Sequence, residues 1–281
     1  WGAVNKWEPF VEGFPEGIPV RKLCYDDVFN RLYCASDIGV WVHDLNQDSS
    51  EWVEFNHNLP FKIISDLEIV HSQNMIRAAT YGRGIWESPI YCNYDAENPY
   101  IVDSNEYWNT DHCMTSDIII EAGAELKIDT CNVFMPTDAR IIVKTGARLT
   151  LRGANIRNAC HHMWMGIEVW GDPNDTHDST NQGQLRTSWN TAIENAYCAV
   201  YAGKKDEYGN GIQGFGGGIL LIDETTFRNN KRAIELWPYS QSTQTKITRS
   251  TFETTKALLD DYNFEYFIVM NSYMHVDIQG C

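Results

Sequence analysis

Several charged residues lie close together in the last third of the chain: Asp223, Glu224, Arg228, Lys231 and Arg232, with Glu253 one repeat later. A basic side chain near carboxylates can neutralise a uronate and remove its α-proton, the chemistry of a polysaccharide lyase. The competing reading is a solvated face, because outward charged residues are needed for solubility alone. That plainer reading is the default. Asp223, Glu224, Arg228 and Lys231 are the residues an enzyme would use.

Three other constellations invite chemistry. Asp172, Asn174, Asp175 and Asp178 offer oxygen ligands for calcium within one loop, as Asp44, Asn46 and Asp48 do in another. In the second, Ser49 replaces the turn glycine of a calcium loop and Phe55 stands where its bidentate Glu belongs. Solvated acidic turns are again the default. Cys160, His161 and His162 have metal-ligand side chains, but neighbours on a strand point to opposite faces, which favours a structural role. Trp164, Trp170, Trp237 and Tyr239 would stack on sugar rings if they lined one outer face, although aromatics in repeat proteins more often fill the interior. No glycine-rich phosphate loop and no Ser/His/Asp motif in a strand-and-helix context appears.

The elements that must position these residues come from repetition. IIIEAGAELKI, from Ile118 to Ile128, returns as IIVKTGARLTL, from Ile141 to Leu151, shifted by 23 residues at every position. Each copy is two short β-branched runs hinged at a glycine, too short for a helix and without a helical period. One such segment cannot bury its apolar face alone. Stacked ~4.8 Å apart, like residues form ladders around a shared core. Later segments continue the pattern: Ile156 aligns with Val133, Ile193 and Val200 with Phe227 and Ile234, and Thr226-Phe227 with Thr251-Phe252. Asn195 and Asn229 recur at a turn position, where Asn tolerates left-handed backbone and can ladder between coils. Val269, Met274 and Val276 predict one more coil, and residues 172–184 predict a loop thrown out from the stack.

The first third repeats at a longer period. Trp7, Phe10 and Pro15 return as Trp52, Phe55 and Pro60, shifted by 45, and Leu23, Asn30 and Ala35 return as Leu67, Asn74 and Ala79, shifted by 44. Each unit reads as four short strands, the signature of a propeller blade. With TYGRGIWESP from Thr80 to Pro89 as its closing strand, this region resembles the C-terminal blades of a sialidase-like, Asp-box β-propeller. Where that family has an Asp and Gly turn leading into Thr-Trp, this chain has DLNQDSSEW, from Asp44 to Trp52. Sialidase-type catalysis needs several arginines converging from different blades, and Arg21, Arg31, Arg77 and Arg83 sit in no version of that motif. About two blades cannot close a ring, so further blades are expected before Trp1. Residues 91–117 are polar and aromatic without a sustained period and read as a linker or as a cap over the stack.

The chain of 281 residues, 43% apolar and 12% aromatic, can bury a sizeable core. A formal charge of −16, from 38 acidic and 22 basic residues, argues against nucleic acid or an anionic membrane as partner. No apolar run approaches the ~20 residues of a membrane span. None of the eight cysteines forms a C-x-x-C pair. An even number in an exported chain allows disulfides in any of 105 complete pairings. Cys113, Cys131 and Cys160 flank successive coils, where a pair could cross-link them; buried thiols are the equal alternative.

GAELKI and GARLTL, with the intervening VFMP from Val133 to Pro136, then NAC at Asn158 to Cys160, MGIEVWG and AIENA, resemble the β-helix modules of large bacterial surface proteins exported by type IX secretion. The resemblance covers most of residues 113–281 and implies export to a secreted or cell-surface location, with a chain cut from something longer at both ends. The expectation is an all-β chain: about two propeller blades over residues 1–90, a linker or cap over 91–117, and a right-handed parallel β-helix over 118–281. Its work is expected to be non-catalytic, a spacer or adhesive surface for glycans or other surface proteins. No cofactor is required, though calcium is possible. The alternative is a β-helix lyase or glycosidase acting on acidic polysaccharide.

Overall fold

The structure, a computed structural model, describes residues 6–45, 51–70, 75–92, 94–160, 162–178, 180–206, 208–273 and 275–281. The described residues are all-β apart from a short 3-10 turn at Leu259–Asp261. It divides into two compact units, Trp1–Tyr91 and Cys92–Cys281.

Among its described residues the first unit holds two antiparallel sheets. One runs Val20–Asp26, Arg31–Ser36, Gly39–Asp44 and Val53–Glu54 in that order, and the other Ile64–Val70, Met75–Thr80 and Gly84–Pro89. The two sheets share one pattern of hairpins, as the 44–45-residue repeat requires. The strand expected to lead each repeat behaves differently: Val53–Glu54, just after Trp52, pairs with Gly39–Asp44 of the preceding repeat. The stretch following Trp7 is not a strand. Asn30 turns the first hairpin with φ 50°, whereas Asn74 lies outside the described residues.

The second unit is built from three parallel sheets visited in turn. Among the described residues the first sheet contains Tyr100–Val102, Ile118–Ile120, Arg140–Val143, Gly166–Val169, Cys198–Ala202, Arg232–Leu236 and Tyr266–Met270. The second contains Glu106–Trp108, Glu125–Asp129, Arg148–Arg152, Gln184–Ser188, Ile219–Asp223, Lys246–Thr248 and Asp277–Gln279. The third contains His112–Cys113, Asn132–Met135, Asn155–Asn158, Thr191–Glu194, Thr225–Arg228 and Thr251–Glu253. One strand in each sheet makes a coil, a path compatible with a β-helix.

Inward residues stack as the 23-residue shift demands: Ile118 beside Ile141, Leu126 beside Leu149, Val133 beside Ile156. The columns continue as Ile167, Val200, Ile234 and Ile268 in the first sheet and as Ile193, Phe227 and Phe252 in the third. Phe227 and Phe252 lie ring on ring at 5.0 Å. Corners are turned by Asn195 (φ 55°) and Asn229 (φ 54°), with Asn195 Nδ2 donating to Asn158 Oδ1 of the previous coil at 2.7 Å.

Residues 91–117 are not a cap. They carry the first coil, with Tyr100–Val102, Glu106–Trp108 and His112–Cys113 each paired in parallel with the next coil. Tyr100 meets Ile118, Glu106 meets Leu126 and His112 meets Val133, so the shift is 18, then 20, then 21. A search at a constant 23 misses it. Val102, Trp108 and Met114 supply its share of the core. A disulfide joins Cys92, ahead of this coil, to Cys160, just after the third, while Cys131 is a buried thiol.

Two measurements follow from this packing. Leu149→Ala removes a fully buried side chain and is expected to cost about 2–5 kcal/mol in urea unfolding of the second unit; Thr150→Ala, on the outward side, is expected to cost less than about 1 kcal/mol. Replacing Cys92 and Cys160 by Ser opens a link of sequence separation 68, for which loop-closure entropy gives a loss of about 4 kcal/mol.

Candidate functional site

Departures from the 23-residue coil fall mostly at one corner, where the chain leaves the first sheet for the second. Residues 170–183, 203–218, 237–245 and 271–276 all connect those two sheets in successive coils. Insertions collected on one side of a repeat stack are the usual place for binding or catalysis.

The first of these loops carries Asp172, Asn174, Asp175 and Asp178. Their side chains do not converge on a cation position. Asp172 Oδ1 accepts from Asn174 N at 2.9 Å and Asp178 Oδ1 from Thr180 N at 2.8 Å, each bracing its own turn. The loop is not simply solvated either. Buried Gln182 accepts from Asp172 N at 2.7 Å and donates to Asp172 O at 2.9 Å. Tyr239 Oη donates to Asp175 O at 2.8 Å, and Gln244 N to His177 Nδ1 at 2.6 Å. His177 is therefore a buried acceptor, and burial pushes its pKa down to about 4 against weaker opposing hydrogen bonds at Gly217 and Gly218. Among the described residues no group of three or more His, Cys, Asp or Glu is placed to hold a metal ion. Asp44 is ion-paired with Arg31 at 3.1 Å; Asn46 and Asp48 lie outside the described residues.

The expected acid–base residues separate into three clusters. Asp223 and Glu224 share Arg249, and Asp223 Oδ1 also accepts from Thr248 Oγ1 at 2.7 Å. Arg228 is forked between Glu253 and Glu194, at 2.6 Å to each. Lys231 pairs with Glu265 at 3.2 Å, with its ammonium 4.0 Å from the Tyr197 ring centroid, and Arg232 pairs with the same Glu265 at 2.6 Å. Each base is held by an opposite charge in a neighbouring coil.

The expected stacking aromatics do not form an outer platform. Trp164 is fully buried, with Nε1 donating to Glu194 O at 2.8 Å, and Tyr239 is a core residue. Trp170 and Trp237 are half-buried against the 203–218 excursion: Lys204 Nζ lies 4.3 Å from the Trp170 ring centroid and 4.7 Å from that of Phe215, and Trp237 packs on Tyr201. Cys160 is in the disulfide, His161 lies outside the described residues, and His162 Nδ1 bonds Asp260.

An open aromatic surface lies instead where the second sheet turns into the third. Trp189 is 58% exposed and holds φ 61°, a left-handed conformation costly for so bulky a residue. The Arg152 guanidinium lies 3.4 Å from its ring centroid. Arg152 and Lys127 both face Asp129, at 3.6 and 3.9 Å, and Lys127 lies 5.3 Å from the ring centroid of exposed Tyr107. Trp189 carries no periodic signal in the sequence, since it sits on a corner that the apolar ladders skip.

Comparison with protein-family models, with curated proteins and with solved structures finds no match to the chain. No helix among the described residues is long and apolar enough to cross a membrane.

His177 titrates below its unfolded value of ~6.5, so the unfolded chain binds more protons between there and about 4. Its contribution is full above pH ~6.5 and is lost as pH falls toward 4. The slope of stability against pH in that window is expected to shrink in His177→Asn, which keeps an acceptor for Gln244 N but cannot titrate.

Proposed function

We propose that this chain is a non-catalytic structural and adhesive segment of a larger exported bacterial surface protein. In this reading the second unit is a right-handed parallel β-helix of the type IX-secreted kind, and the first holds blades of a sialidase-like propeller. The observation that carries it is the fate of the reactive side chains: Asp223, Glu224, Arg228 and Lys231 are consumed in ion pairs between coils. A lyase needs a base free to take a proton, so the alternative enzymatic reading draws no support from these residues.

Other features agree with the reading. A disulfide fits an oxidising location outside the cell. In the first unit Val20, Leu23, Tyr25, Ile85 and Trp86 are exposed, and a cleft of about 330 Å³ is lined by Val40, Phe55, Leu67, Ile76 and Trp86. Apolar sheet faces of this kind fit a ring in which further copies of the repeat pack. The Trp189, Arg152 and Tyr107 surface is the adhesive element, with rings to stack on sugars and cations beside them.

Binding of the full chain to a panel of acidic and neutral polysaccharides tests this. Saturable retention without product is expected, weakened about tenfold by Trp189→Ala, the equivalent of ~1.4 kcal/mol of lost stacking. Turnover abolished by Asp223→Ala or Arg228→Ala would overturn the non-catalytic reading.

A further inference from the structure

The outward face of the first sheet should be wet, yet part of it is buried. Glu168, Tyr201 and Glu235 form one column up this face, each beside the next in register. The hairpin pairing Lys204–Lys205 with Gly211–Ile212 covers them, so Glu168, Tyr201, Glu235 and Lys205 are all buried. Glu168 is well satisfied: it takes Arg140 at 2.8 Å, Trp170 Nε1 at 2.9 Å and Lys205 N at 3.2 Å.

Glu235 is not. Its Oε2 is buried with no close hydrogen bond, as is Tyr201 Oη beside it in the column, and the Tyr266 phenol bears on the same carboxylate. Two cations face that oxygen beyond hydrogen-bond length, Lys205 Nζ at 3.8 Å and Arg232 at 3.5 Å. Arg232 is anchored elsewhere, on Glu265. The Lys205 ammonium also lies 4.3 Å from the Tyr201 ring centroid. On the other carboxylate oxygen, Oε1, the side-chain amide of Asn271 donates through Nδ2 at 3.2 Å. One buried carboxylate therefore faces a lysine ammonium on one oxygen and binds a carboxamide on the other.

We propose that Lys205 and Asn271 become joined by an intramolecular amide, with Glu235 as the proton carrier. Glu235 takes a proton from the Lys205 ammonium, and the neutral amine attacks Asn271 Cγ. Protonated Glu235 then returns that proton to the departing nitrogen. The Nζ–Cγ bond forms, the Cγ–Nδ2 bond breaks, the attacking nitrogen sheds its second proton to water, and the ammonia that leaves takes up a proton there. The balance is one lysine ammonium plus one carboxamide giving one secondary amide plus one ammonium ion, with no oxidant or cofactor. Attack requires Nζ within about 3–3.5 Å of Cγ, so the Lys205 side chain must swing past the Glu235 carboxylate to reach Asn271. The Lys205 ammonium is held under the hairpin by the Tyr201 ring and the buried Cys198 thiol as well as by Glu235. The product replaces it with a neutral amide whose N–H can donate to Glu235.

The bond would fasten the 203–218 excursion to the coil two further along, across the coil that carries Glu235. This goes beyond the proposed spacer role and does not depend on it.

Intact-mass spectrometry of the full chain, freshly purified and after long incubation at neutral pH, tests the proposal, followed by proteolysis and peptide mapping. The expected result is a mass lower than the disulfide-bonded sequence by one ammonia, with the Lys205 peptide linked to the Asn271 peptide. Lys205→Arg and Glu235→Gln should both retain the full mass. Full mass in the parent chain at both times overturns the proposal. So does ammonia loss confined to Asn210-Gly211, the signature of cyclisation at that dipeptide.

Discussion

No strand of the second unit's three parallel sheets can satisfy itself. Among the described residues each strand of these sheets is three to five residues long but for the two-residue His112–Cys113, with its backbone donors and acceptors turned toward the coils on either side and its apolar side chains facing an interior that neighbours must help fill. Parallel pairing between coils meets both demands at once, and it does so only if like positions stand side by side. A slip of one residue would turn Ile118, Leu126 and Val133 outward together. Stability in such a stack is a sum of nearest-neighbour terms, and the spacing of inward residues is conserved along the unit even where the chain between them lengthens.

The outward charges obey the same rule. Lys144 pairs with Glu121 at 2.6 Å, Arg148 with Glu125 at 3.7 Å and Arg152 with Asp129 at 3.6 Å, each across the same 23-residue step. The second coil presents acids where the third presents bases. Exposed pairs of this kind contribute roughly 0–1 kcal/mol each, too little to hold the coils together. Their larger effect is on register, since a misaligned stack would set like charges against each other. Arg228 between Glu194 and Glu253 extends the pattern to three coils, which is why a cluster resembling an acid–base site in the linear sequence is an ion ladder in space.

The all-β character and the repeating core were legible because two coils of equal length lie next to each other in the chain. Glycine at 123 and 146 marks the same turn in both, with positive φ. Legibility failed where lengths changed. The first coil is shorter than the rest, so Tyr100–Val102 and Glu106–Trp108 escaped a fixed-period reading. Residues 172–184 were legible as an excursion, but His177 and Gln182 inside it were not, because polar residues in a loop give no sign that later coils will bury them. Partners from distant coils explain the remaining misses: Asp260 reaches His162 across 98 positions, and Trp164 is buried by the coil that follows it. Local spacing carries no information about either.

The Cys92–Cys160 bridge encloses the first three coils in one covalent loop. A chain pulled from that end would ordinarily peel away one layer at a time, each surrendering only its own hydrogen bonds. Here traction passes through sulfur to a point beyond the third layer, and the enclosed layers are shielded from the load. Mechanical failure must then begin further along, or wait for a reductant.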